Sequence, residues 1–172
     1  ACLNAAGLPE GGSGEDLLDA RPHAGAGVEA GVLGDYPVNL VIGPDGEPVG
    51  DISKSPAFGT NWVTVDDLNP YQLASGHAPA GDGEIVIDKA SADKAGYQPG
   101  DVATVLTKRE PRQFTIAGVA TFGTADSPAG ATAVLFTDTA AGELLAAPGH
   151  ADAIAVTADP GLSQAEVVSA VQ

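Results

Sequence analysis

Glu84-Ile85-Val86-Ile87-Asp88, followed by Lys89-Ala90-Ser91-Ala92-Asp93-Lys94-Ala95-Gly96, is the stretch on which the fold turns. Three consecutive β-branched residues predict a strand, because they suit a pleated, packed surface. The heptapeptide after them predicts a short helix, and Gly96 ends it. Pro99-Gly100-Asp101 turns the chain into a second apolar run, 102–107, and Glu110-Pro111 turns it again. Residues 113–122 then run back with alternating character. Strand, helix, strand and strand thus follow one another with only short turns between them.

Working outward on the N-terminal side, 75–83 is a turn-rich connection. Residues 66–73 read as a loop or helical turn interrupted by Pro70, 60–65 as a short strand and 53–60 as a loop. Residues 28–42 read as one strand that meets Gly43-Pro44-Asp45-Gly46, a tight-turn signal because Asp-Gly tolerates positive φ. Residues 47–52 are expected to return as its partner. Residues 15–20 predict a short helix, acidic in its first turn where the helix dipole favours it. The glycine-rich 1–14 read as a flexible tail. On the C-terminal side a polar loop, 123–130, precedes a strand at 131–136. A helix at about 139–147 is capped by Thr137-Asp138 and ended by Pro148-Gly149. A strand at 151–157 and a final helix from Ser163, with Glu166 completing a capping box, close the chain.

Composition excludes several functions. The 172 residues fit one domain, or one domain with a subdomain. Seven basic against 23 acidic residues leave a net charge of −16. That denies the chain the basic stripe a nucleic-acid binder needs, and disfavours anionic lipid headgroups. No run of 18 apolar residues spans a membrane, and no signal-peptide pattern is visible. Methionine is absent, which suggests a segment excised from a longer protein. Cys2 is the sole cysteine, so no intrachain disulfide forms; lipidation is the one modification its position suggests.

No group singled out for chemistry has the context chemistry requires. His23, His77 and His150 lie far apart in Pro/Gly-rich loops, without zinc spacing. Gly25-Ala26-Gly27-Val28-Glu29-Ala30 matches a dinucleotide fingerprint in letters only, since a strand rather than a helix follows it. Asp66-Asp67 and Asp82/Glu84 lack calcium-loop spacing, and solvated loop and cap roles explain them. Ser91, Ser127 and Ser163 have no nucleophile-elbow context. No catalytic, cofactor-binding or metal-binding residue is therefore assigned. With aromatics at 5%, Trp62, Tyr71, Tyr97, Phe114 and Phe122 read as core anchors rather than a stacking platform. An outward-facing Trp62 or Tyr71 would reverse that. Trp62, Tyr71 and Asp126 are the candidate partner-contact residues.

One resemblance runs from about 60 to 155. It is carried by Thr60-Asn61-Trp62-Val63, Leu68-Asn69-Pro70-Tyr71-Gln72-Leu73, Gly76-His77-Ala78-Pro79 and Gly83-Glu84-Ile85-Val86-Ile87-Asp88. It continues through Ala92-Asp93-Lys94-Ala95-Gly96-Tyr97, Gly100-Asp101, Phe114-Thr115-Ile116-Ala117-Gly118-Val119, Phe122-Gly123 and Ala125-Asp126-Ser127. The whole resembles the extracytoplasmic, MacB-like periplasmic core domain of FtsX/MacB-type ABC transporter permeases. The resemblance implies an α+β fold, a split α/β porter-like layer with an inserted small β-rich subdomain. On that reading 1–14 is tail, 15–59 and 131–172 form the porter-like layer, and 60–130 is the insertion. The family opens with a strand before its first helix, where this sequence shows only the tail.

The resemblance further implies a non-catalytic module without cofactors, on the extracytoplasmic face of the bacterial cell membrane. Its partners would be flanking transmembrane helices of the same chain, a cytoplasmic ATPase subunit acting indirectly, and a second copy or an extracellular protein. The alternative is a secreted or surface-anchored peptide- or solute-binding module. A small β-barrel enzyme ranks last, for want of a nucleophile or base.

Overall fold

The structure is a computed structural model and describes residues 2–4, 28–31, 40–51, 53–107, 109–146 and 153–156. In chain order the described strands begin with β1 (Cys2–Asn4), β2 (Val28–Gly31), β3 (Leu40–Ile42) and β4 (Ala57–Asn61). After a 3-10 turn at Asp66–Leu68 come β5 (Tyr71–Gly76) and β6 (Glu84–Asp88). Helix α1 (Lys89–Ala95), β7 (Val102–Leu106), β8 (Arg112–Phe122), β9 (Thr132–Phe136), α2 (Asp138–Leu144) and β10 (Ala153–Val156) complete the described elements.

These strands form two sheets. A small antiparallel sheet has the order β1-β10-β2, with Cys2 opposite Ala155 and Ala30 opposite Ile154. A seven-stranded mixed sheet has the order β3-β7-β8-β6-β9-β4, with β5 added to β8. The α+β class is as the sequence implied. The strands of the larger sheet come from between Leu40 and Phe136.

β6 shows why the sequence folds this way. Its residues Ile85 to Asp88 are fully buried, so the strand is covered on both faces. Ile85 and Ile87 join one core cluster with Phe114, Phe136, Ala140 and Ala141, on the face against which α1 and α2 pack. Val86 joins the other, with Tyr71, Ala120, Ala133 and Leu135. This is why the strand reads as an unbroken run of branched residues rather than an alternating one. Phe114 and Phe136 meet edge to face at 5.3 Å within the first cluster.

Local signals set the helix ends. The Asp88 carboxylate caps α1 by accepting from the Ser91 amide at 3.0 Å, and Gly96 terminates it in the left-handed region at φ 73°. Thr137 caps α2 by accepting from the Ala140 amide at 3.2 Å. The Gly43–Glu47 turn closes as read, with the Gly43 amide donating to the Glu47 carbonyl at 2.8 Å.

β8 organises the larger sheet. On one side it pairs in parallel with β6. On the other it pairs antiparallel with β7 over Arg112–Thr115 and then with β5 over Gly118–Phe122. The register slips beside Ala117 on the β6 side and between Leu73 and Ser75 in β5, so both irregularities flank Gly118. Bulges of this kind bend a strand, and here they mark where β8 changes neighbours.

The structure departs from the sequence reading at five places. Residues 2–4, read as tail, form β1, which supplies the opening strand that the sequence seemed to lack. The single strand expected over 28–42 is two strands, β2 and β3, in different sheets. The return at 47–52 makes one bridge, Ile42 to Pro48, and no strand among its described residues. The strand expected at 60–65 lies at Ala57–Asn61, parallel to β9. Pro70, Ser75 and Gly76 punctuate β5 and predict a loop there; its pairing with β8, whose partner residues lie about 40–50 positions further on, makes it a strand. The helices expected at 15–20 and from 163, with His23 and His150, lie outside the described residues.

Candidate functional site

The second face of the larger sheet is where the candidate residues meet. Tyr71 leads β5 and is 6% exposed. Its amide donates to the Asn69 side-chain oxygen at 2.9 Å, and its ring meets the edge of Phe122 at 5.3 Å. Burial pushes its hydroxyl well above the usual tyrosine range, with the Asp88 charge adding to the effect. Trp62 follows β4, is half-buried and packs with Phe58 against the same cluster. Its amide donates to the Phe136 carbonyl at 2.7 Å.

Asp126 is exposed and forms an ion pair with Lys89 at 3.1 Å, while its carbonyl accepts from the Ala90 amide at 2.9 Å. It follows Ala125, which bridges Phe122, the cross-strand neighbour of Tyr71. Tyr71 and Asp126 therefore share one end of the sheet, and Tyr71 and Trp62 share one apolar cluster. Tyr71 and Trp62 pack into that cluster as core anchors do, whereas Phe122, also expected as an anchor, is 39% exposed at the sheet margin; Asp126 tethers its loop to α1.

Asp88 is the one fully buried carboxylate of this region. Its second oxygen accepts from the Ala133 amide at 2.8 Å, joining α1 to β9. Burial raises its pKa, and the hydrogen bonds from Ala133 and Ser91 oppose that rise. Beside it, Ser91 Oγ donates to Thr132 Oγ1 at 3.1 Å, and Thr132 Oγ1 donates to the Val49 carbonyl at 3.2 Å. Each of these hydroxyls is committed to a neighbour, and His77, exposed on its loop, bonds its own neighbour Ala78. Among the described residues no group of three or more His, Cys, Asp or Glu is placed to hold a metal. The arrangement is that of a structural joint.

What the sequence reading missed is β5. Beyond Tyr71 every residue of this strand is exposed, and Leu73 and Phe122 are 42% and 39% exposed. The lack of any charge between Leu68 and Asp82 was the available signal.

Comparison with known proteins fits this architecture. Residues 19–172 match the profile of the MacB-like periplasmic core domain. The chain belongs to that family. It is thus a periplasmic-type domain of an ABC transporter permease, from a family not normally catalytic. Its fold is similar to the periplasmic region of MacB from Actinobacillus actinomycetemcomitans. That likeness has a TM-score of 0.65 at 11% identity, over 92% of this chain and 70% of the other. A domain of a putative permease protein from Porphyromonas gingivalis is also similar, with a TM-score of 0.55 at 21% identity, over 92% and 73% of the two chains. No curated protein matches the chain. No described helix of this MacB-like domain is long and apolar enough to cross a membrane.

Proposed function

We propose that this MacB-like domain couples ATP-driven motion of flanking transmembrane helices to the handling of cargo or a partner outside the membrane. The family match over 19–172 carries the reading. The small sheet supports it mechanically. β1 and β10 are antiparallel neighbours, so the chain near residue 2 and near residue 155 runs side by side. A displacement delivered at either place is shared between the two strands through their backbone hydrogen bonds, and movement of such a unit as a rigid body is an ordinary way to transmit it. The ATPase would be a separate cytoplasmic subunit, and the domain itself would bring no catalytic group, cofactor or metal. We take the inserted part to be the seven-stranded sheet, with the small sheet belonging to the porter-like layer.

The test uses the intact transporter in lipid nanodiscs, with spin labels on exposed Gln72 and Asp93 and a reference label at the membrane surface. ATP with vanadate should shift the distances to the membrane while the Gln72–Asp93 distance stays constant. Unchanged membrane distances would sink the coupling reading and favour a passive binding module.

A further inference from the structure

β5 is the most open element of the larger sheet. Residues 72–77 are all exposed, whereas all of β9 is buried. One edge of β5 is paired with β8, and no described strand pairs with the other. Edge strands are usually guarded by charge, proline or a covering segment, because their free N–H and C=O groups are a template for further pairing. β5 carries no charged residue and no proline, and from Leu68 to Gly81 this acidic chain has no Asp, Glu, Lys or Arg. Among the described residues its one guard is the irregularity between Leu73 and Ser75, which bends the strand without covering it.

The side chains beside this edge are apolar. The pairs Tyr71–Phe122 and Leu73–Ala120 lie on one face, which puts the exposed Leu73 and Phe122 together over a buried base. A free edge beside alternating apolar positions is the geometry of strand addition. Charge selects the occupant. A second copy would bring −16 against −16, a repulsion that disfavours self-pairing. Exposed Asp66 and Asp67, on the turn that leads into β5, favour basic residues flanking the added segment.

We propose that β5 takes up an extended segment of another protein by strand addition, with apolar residues seated on Leu73 and Phe122 and basic residues outside them. This stands independently of the coupling reading; if both hold, β5 is the surface through which the partner is engaged.

The experiment titrates the 172-residue chain with lysine-flanked peptides that alternate Val, Leu or Phe with Thr. Controls are the same peptides N-methylated at alternate residues, which cannot extend the hydrogen-bond ladder. Amide exchange of Gln72 to Gly76 should slow by roughly tenfold or more in the complex, with NMR shifts confined to β5 and the Phe122 end of β8. Leu73→Lys should weaken binding by about tenfold or more, through like charge at the contact. Ser75→Lys, on the same exposed strand, serves if Leu73→Lys does not fold. Absence of protection with every peptide, equal binding of the methylated controls, or indifference to both lysine variants overturns the proposal. So does a dimer in sedimentation that Leu73→Lys abolishes, because that makes a second copy the occupant.

Discussion

At the residue scale Gly118 and Asp88 are held most tightly. A Cβ on Gly118 would stand 2.6 Å from the His77 carbonyl and 3.0 Å from the Ser75 carbonyl, both backbone atoms that cannot swing away. Gly76, across the strand pair and at φ 76°, is as confined. Gly118→Ala should destabilise the domain by about 2–3 kcal/mol, read as a lower urea midpoint at unchanged slope. Gly46, also at positive φ, has nothing within 4 Å of a built Cβ, so Gly46→Ala should lose less, through its backbone alone. Asp88→Ala removes a cap and the acceptor for Ala133, at roughly 2–3 kcal/mol. Burial raises the folded-state pKa of Asp88 above the ordinary 3.8. The native state therefore holds this proton to higher pH than the unfolded chain does. The contribution of Asp88 to stability is greatest below 3.8 and declines as pH rises through its raised value. The stability advantage of wild type over Asp88→Asn should accordingly shrink as pH rises across that window. A constant difference would show that the carboxylate does not titrate abnormally.

At the element scale the contrast is between β6 and β5. Both are strands, but β6 is enclosed on two faces and its branched residues announce it, so its bounds in the sequence reading match the structure. The same holds for α1, where the Asp88 cap and Gly96 set the ends; α2 starts at its Thr137 cap as read but ends at Leu144, short of the expected 147. β5 is held by a partner about 40–50 residues away, and no local signal outweighed the proline before it and its own serine and glycine. Stability should divide the same way. Native-state amide exchange should be slowest in β6, β9 and the middle of β8, and fastest in β5. Uniform protection across β5 and β6 would contradict this. Phe136→Ala should cost about 3–5 kcal/mol, because Phe136 is fully buried and meets Phe114 edge to face. Asp126, Lys89 and Asp93 form an exposed trio, so Lys89→Ala should leave thermal stability nearly unchanged.

At the scale of the whole molecule charge and topology govern. A net charge of −16 means self-repulsion in the folded state. Tm should rise with added NaCl and level off once the Debye length has fallen to about 8 Å, near 0.15 M. A Tm indifferent to salt would show the acidic residues too dispersed to repel. Composition alone denied the chain a basic stripe and placed the burden of the core on Val, Ile, Leu and Ala. Local pattern alone determined the strand–helix–turn succession from Glu84 to Phe122 and the resemblance to a MacB-like domain, because branched runs, caps and turn glycines act over a few residues. Only the tertiary structure decided that 28–31 and 40–42 belong to different sheets, that residues 2–4 pair beside β10, and that Tyr71 is buried while Leu73, two residues on along the same face, is left exposed. These are long-range choices. They depend on which strand lies alongside, and backbone pairing between distant segments leaves no periodic trace in either one.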